Sequence, residues 1–238
     1  MNSLRNQLND FIGLHNSIER ITVTKHATDI DLCYEGIDLF LHISNILKGI
    51  KFDYSTPELA TQSLLWRFIV SIPSTAFMCL HSAIQGEYRI SYSLLRILIE
   101  ETVSARYYSK NPTNAYKEIS ETFMSGFSKE TKFSRKIREL DGRSNGSLKI
   151  LYDAISKGAS HANALEFPGD LIDKESKRLK KPDEPAYDEE SLIWIINNIM
   201  RLICISLGAT IDTYPELMRK DDFATQSNHF CEIVESRL

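Results

Sequence analysis

The stretch from Gly86 to Lys110, GEYRISYSLLRILIEETVSARYYSK, constrains the fold of this chain more than any other part of its sequence. A helix drawn through it is apolar on nearly every side, and a helix with little polar surface is usually central in a fold. Arg96 and Glu100 stand four residues apart in it, one helical turn, among leucines and isoleucines. We therefore expect a central helix with an interior ion pair, because a buried charge needs a matched partner.

The rest of the chain predicts further helices. Only 10 glycines and 7 prolines occur in 238 residues, and no stretch alternates apolar and polar residues between turn signals as a strand would. Hydrophobic residues make up 42% and charged residues 25%, which is the balance of an ordinary globular protein. We expect a single all-α domain over residues 1–238, built as a bundle of six to eight helices.

Apolar spacing and turn residues place these helices along the chain. Thr56 is a candidate N-cap with Pro57 in the first turn, and Gly86 should separate two antiparallel neighbours. The first helix, within residues 1–28, could be peripheral and pack on the body or on a partner chain. The expected helices cover residues 3–22, 29–48, 57–85, 86–110, 113–140, 147–160 and 188–208, with a short one from about Asp222.

Two basic stretches are candidate contacts for RNA, with solvated surface as the alternative. One is Lys129–Arg143. The other, Lys174–Lys181, lies in a charged insertion, residues 166–187, which carries three prolines and eleven charges before the last long helix. The net charge of −4 argues against indiscriminate coating of nucleic acid.

Membrane, secretion and metal binding are not expected. Leu64–Ile84 and Leu192–Ala209 are long and apolar, but each contains an arginine, which costs about 2.5–3.5 kcal/mol at the centre of a membrane helix. The N-terminus lacks the basic and apolar regions of a signal peptide. No HExxH, Walker or GxGxxG motif occurs, so neither a metal nor a cofactor is predicted.

The four cysteines form no CxxC pair, and we expect them to be buried thiols in a reducing cytoplasm. They are Cys33, Cys79, Cys204 and Cys231.

A second row of polar residues lies on the helix predicted over 147–160. Asp153, Lys157 and His161 follow one another at four-residue steps, and Tyr152 and Ser156 form the adjacent row. An imidazole beside a lysine and an acid can act as a general acid or base at neutral pH. A capping or hydrogen-bonded histidine is the structural alternative.

Two interpretations are also open for Arg96 and Glu100. They could fix the register of the central helix, or they could form the charged wall of a pocket, with Tyr92 on the same side of the helix.

Two segments resemble a family of uncharacterised bacterial helical proteins. Members pair a small-x-x-Leu-Leu-Arg-x-x-x-Glu helix with a later Leu-Tyr-x-x-x-Ser-x-x-x-x-His segment. Here these are SYSLLRILIEE, with Arg96 and Glu100, and LYDAISKGASH, with Tyr152, Ser156 and His161. That family in turn resembles the HEPN superfamily, helical bundles frequent in toxin–antitoxin, CRISPR-associated and antiphage systems.

The HEPN resemblance implies a possible nuclease activity. Active HEPN nucleases cut RNA without metal, using an Arg-x(4–6)-His motif usually assembled across a dimer. In this chain the positions that leave four, five or six residues before His161 hold Ser156, Ile155 and Ala154, none of which is an arginine. Arg96 would therefore have to supply the positive charge from another helix.

Three functional hypotheses follow. The first is a non-enzymatic, cytoplasmic binding or regulatory protein of a bacterial defence or toxin–antitoxin-like system, acting as a homodimer or with a protein partner. The second is a metal-independent ribonuclease in which His161 is the general acid or base, Arg96 and Lys157 stabilise the transition state, and Glu100 orients Arg96. The third is a bundle that binds a small ligand through Tyr92, Arg96, Glu100, Tyr152, Ser156 and His161.

Overall fold

The computed structural model is all-helical over the residues it describes, which are 2–47, 51, 53–125, 132–142, 146–160, 187–220 and 222–237. Eight helices of nine residues or more and one of six occur in these ranges, with no strand, so the predicted all-α bundle is confirmed. The helices are α1 Asn2–Ile46, α2 Pro57–Ile84, α3 Tyr88–Lys110, α4 Pro112–Ser125, α5 Phe133–Asp141, α6 Ser147–Ser160, α7 Glu189–Thr213, α8 Pro215–Lys220 and α9 Phe223–Arg237.

Helix α1 joins the first two predicted helices into one bent element. The bend is at His26, whose backbone is not helical (φ −120°, ψ 25°). The buried His26 ring lies 3.0 Å from the hydroxyl of Tyr187, measured from Nε2. Before the bend, residues 9–14 are exposed and His15 approaches Glu87 at 3.1 Å, so this end of α1 contacts the body on one side only.

Local signals set the boundaries of α2 and α3 as predicted. The hydroxyl of Thr56 accepts a hydrogen bond from the Leu59 amide at 3.3 Å, and Pro57 is the first helical residue. At the other end Gly86 has φ +80°, and the Glu87 amide donates to the Ser82 carbonyl at 2.8 Å. This is a Schellman-type ending, which glycine adopts without steric cost. The chain therefore reverses sharply, and α2 and α3 pack as antiparallel neighbours.

Helix α3 is central, packing against α2, α5, α6 and α7. Helix α7 packs beneath α1, α2 and α3, and its apolar residues complete the core. Both α2 and α7 are long and apolar enough to cross a membrane, but 44% and 61% of their most apolar windows are buried in this fold. Core helices of globular proteins pass the same length and composition test.

The turn between α5 and α6 positions the second motif segment. Asp141 ends α5, and its carboxylate accepts hydrogen bonds from the amides of Leu148 and Lys149 at 3.3 and 2.8 Å. These donors belong to the first turn of α6, where a carboxylate satisfies unpaired amides and favours the helix dipole. The cap holds α6 against α3.

Candidate functional site

The two motif segments meet where α6 packs on α3. The Nη2 atom of Arg96 donates to the Tyr152 hydroxyl at 3.4 Å, and Nε of Arg96 donates to Oε1 of Glu100 at 3.2 Å. The Tyr152 hydroxyl in turn donates to Oε1 of Glu100 at 3.4 Å. The guanidinium carbon lies 5.9 Å from the centre of the Tyr152 ring. These three residues form a closed triangle, called here the Arg96 cluster.

The Arg96 cluster lies at the surface, so the prediction of an interior ion pair is wrong. The side chains of Arg96 and Glu100 keep 38% and 41% of their exposure. Helix α3 buries Leu95, Leu98 and Ile99, whereas Arg96 turns outward beside α6. The hydrogen bond to Glu100 is the main cause that raises the pKa of Arg96. Exposed pairs of this kind contribute up to about 1 kcal/mol.

The other predicted site residues are placed around the cluster or lie outside the described residues. Tyr92, one turn before Arg96, packs its ring against Trp194 of α7, with centroids 5.5 Å apart. Ser156, one turn after Tyr152, has a buried hydroxyl oxygen. Asp153 is exposed and pairs with Lys149 at 2.7 Å. His161 and the side chain of Lys157 lie outside the described residues.

The described part of the first basic stretch contains buried, paired and exposed cations. Lys136 is fully buried, with its ammonium 3.2 Å from the hydroxyl of Ser104. Arg135 pairs with Glu139 at 2.6 Å. Lys129, Arg143 and the stretch Lys174–Lys181 lie outside the described residues. Within the described part of Lys129–Arg143, Lys132 and Arg138 are the exposed cations without such a partner.

Sequence reasoning missed the burial of Lys136. Phe133, Ile137 and Leu140 form the apolar row of α5, and Lys136 lies on the same side of the helix, three residues after Phe133 and four before Leu140. That spacing was a signal that the lysine stem could be buried with the row.

An apolar face on the outside of α1, α2 and α3 was also missed. Tyr34 of α1 lies beside Phe77 of α2, with ring centroids 6.2 Å apart, and one heptad away on the same two helices are Leu41 and Val70. On the other flank of α2, Ser71 and Thr75 act on the pKa of Glu101 of α3, and α3 packs along α2, where Met78 and Ile97 are exposed on the two neighbouring helices. The apolar face is defined here as Leu41, Val70, Phe77, Met78, Ile90 and Ile97, whose exposed fractions are 43–50%.

The Arg96 cluster and the apolar face differ in what they can do chemically. A guanidinium has five N–H donors, and the two bonds to Glu100 and Tyr152 leave others able to face an anion from solvent. The apolar face presents side chains whose removal from water lowers the free energy of the system.

No family model, curated protein or solved structure matches this chain. The resemblance to HEPN bundles therefore stays a prediction. Functional inference rests on the Arg96 cluster and on the apolar face.

Proposed function

We propose that this chain is a non-enzymatic helical binding protein that acts as a homodimer through the apolar face. The observation that carries the proposal is the exposure of six large hydrophobic side chains along the outside of three adjacent helices. Single exposed hydrophobic residues are ordinary, whereas a contiguous group usually marks a contact surface.

The size of the apolar face supports a protein contact. Six large side chains at about half exposure present on the order of 500 Å² of apolar surface, near the upper end of what monomeric proteins expose. A standard interface buries about 800 Å² on each partner, much of it in a polar rim. The apolar face therefore has the size of the apolar centre of such an interface, which its polar surroundings would complete.

The charges around the apolar face favour a second copy of this chain as the partner. The exposed residues Asp31, Glu35 and Asp38 follow the α1 edge, whereas Arg67 and Arg89 are exposed on α2 and α3. None of these five makes an ion pair within 4 Å with another described residue. A two-fold axis parallel to α2 would bring the acidic α1 edge of one copy over Arg89 of α3 in the other. The face is thus complementary to itself in charge as well as in hydrophobicity.

Light scattering of the purified protein tests the dimer. The expected mass is twice the chain mass of 27.2 kDa, and Met78→Lys should reduce it to that of one chain. Ile150→Lys is the matched control, since Ile150 is 61% exposed on α6 and outside the apolar face. Val70→Lys repeats the test should Met78→Lys not fold. A wild-type monomer at micromolar concentration, or lysine variants that remain dimeric, would overturn the proposal.

The proposed cellular setting follows from the resemblance stated above. A binding protein with HEPN-like architecture fits a bacterial defence or toxin–antitoxin-like system in the cytoplasm, where one face pairs the copies and other surfaces meet the partner. Co-purification from cells with the neighbouring gene products, with and without Met78→Lys, would show whether pairing is needed for that contact.

A metal-independent ribonuclease is the second candidate, and the contact between Arg96 and Tyr152 favours it. This contact joins the two motif segments, and α6 runs to Ser160, immediately before His161. The test is cleavage of a single-stranded RNA in EDTA by wild type, His161→Ala and the control His229→Ala, whose histidine is exposed on α9. Cleavage lost only in His161→Ala, at an unchanged melting temperature, would establish the enzyme and overturn the non-enzymatic proposal.

A further inference from the structure

Two of the four cysteines meet across the packing of α9 on α7. Cys204 lies on α7 and Cys231 on α9, 27 positions apart in the sequence. The two helices pack together, and the preceding residues Ile203 and Phe230 both lie against Gly36. Each thiol also shifts the pKa of the other, as adjacent groups do. Both thiols are free and both residues are half-buried. A small oxidant can therefore approach a pair of sulfur atoms that are already adjacent.

The other two cysteines are placed differently and serve as internal controls. Cys33 and Cys79 are fully buried, and their thiols point at backbone carbonyls, those of Ile196 at 3.9 Å and Ser91 at 3.2 Å. Burial also raises the pKa of both thiols well above the ordinary value. Reactive cysteines are partly exposed and easily ionised, whereas buried ones of this kind are inert.

The thiol pair titrates as a unit. The hydrogen bond from Cys204 lowers the pKa of Cys231, because the Cys231 thiolate accepts it. The same bond raises the pKa of Cys204, since its proton is the one that is shared. Cys231 is therefore the sulfur that ionises first and attacks.

We propose that Cys204 and Cys231 form a redox-reactive pair that closes to an intramolecular disulfide and ties α9 to α7. The oxidant class is a low-molecular-weight disulfide. The Cys231 thiolate attacks one sulfur of that disulfide, which forms a mixed disulfide and releases one small thiolate. Cys204 then loses its proton and attacks the Cys231 sulfur, which forms the bridge and releases the second small thiolate. Two protein thiols are oxidised and one small disulfide is reduced to two thiols.

The bridge would act on the helix that ends the chain. Helix α9 buries Phe223, Ser227, Phe230 and Val234, and Arg237 pairs with Asp29 of α1 at 3.0 Å. An edge helix held by so few side chains is a natural unit of local opening. A covalent link to the core helix α7 removes that opening, so the redox state of the pair would control whether α9 can leave the body.

Incubation of the native protein with oxidised glutathione tests the proposal. We expect two of the four thiols to be lost, an intact mass lower by two hydrogens, and a Cys204–Cys231 cross-link in non-reducing peptide maps. The melting temperature should rise by a few degrees, because the bridge closes a loop in the unfolded chain, and reduction should reverse the rise. Cys204→Ser and Cys231→Ser should each abolish the cross-link and the shift.

Three results would overturn the proposal. One is a native protein that keeps all four thiols at a glutathione disulfide excess. Another is a protein that stops at a mixed disulfide with glutathione. The third is a bridge that forms only in denaturant or involves Cys33 or Cys79, because the folded state would then not bring the proposed pair together.

Discussion

The ammonium of Lys136 lies 4.5 Å from the ring centre of Tyr108 in the interior between α5 and α3. The ammonium also donates to Ser104, and the Tyr108 hydroxyl donates to Glu118 of α4. A charged lysine is almost never fully buried unless polar and aromatic groups replace its water. This arrangement therefore joins helices α3, α4 and α5.

Lys136→Ala is expected to destabilise the fold by roughly 2–4 kcal/mol, because it removes both the packed stem and the donor to a buried hydroxyl. Lys132→Ala removes the same charge from an exposed position at the start of α5 and should change stability by less than about 0.5 kcal/mol. Urea unfolding measures both. Equal effects of the two variants would contradict the structural role of Lys136.

Arg96→Ala is expected to cost at most about 1 kcal/mol, because the ion pair with Glu100 is near 40% exposed. The cost should shrink further in high salt, which screens exposed charges. Tyr152→Phe, which removes the hydroxyl of the cluster, is the companion variant and should cost no more. A loss of roughly 3–5 kcal/mol on Arg96→Ala would instead indicate a buried pair.

Glu101→Gln is expected to stabilise the protein at neutral pH. Burial is the main cause that raises the pKa of Glu101, and the hydrogen bonds from Ser71 and Thr75 offset it only in part. The folded state therefore binds the proton more tightly than the unfolded state, so wild-type stability falls as pH rises from the unfolded pKa through the folded one.

A glutamine amide in place of the Glu101 carboxyl carries no charge and avoids this loss. Chemical unfolding at about pH 4 and at neutral pH should show a gain that is largest at neutral pH and small in acid. Glu232→Gln, at an exposed position of α9 outside the apolar face, is the control that removes a carboxyl from the surface. A gain of the same size at both pH values would exclude the proposed titration.

Gly36→Ala and Gly13→Ala, both in α1, are expected to act in opposite directions. A Cβ atom at Gly36 would lie 2.6 Å from Cζ of the buried Phe230 and 3.1 Å from Ile203, so overpacking should cost about 1–3 kcal/mol. At Gly13 nothing lies within 4 Å, and alanine should add about 0.5–1 kcal/mol through helix propensity. Thermal unfolding of the two variants measures both effects. A stabilising Gly36→Ala would mean that α9 moves away from α1 without cost.

The amino-acid sequence by itself determined the helix boundaries that carry a cap, glycine or proline signal. It was wrong where it predicted two helices in place of α1 and a single helix over 113–140 in place of α4 and α5. Thr56 with Pro57, the Gly86 reversal and Pro112 act through the backbone within a few residues, so they can be recognised without knowledge of the fold. The predicted helix over 147–160 agrees with α6 for the same reason, since the turn before it contains Asp141 and two glycines. Apolar periodicity also predicted correctly that α3 is central.

Only the tertiary structure decided which side of each helix is covered. Arg96 has apolar neighbours in the sequence and yet faces solvent, whereas the charged Lys136 is enclosed. Cys204 and Cys231 meet only because α9 folds back on α7. The physical reason is that helix rotation and pairing are set by the summed packing of residues far apart in the chain, and a local pattern with a broad apolar surface is compatible with several such packings.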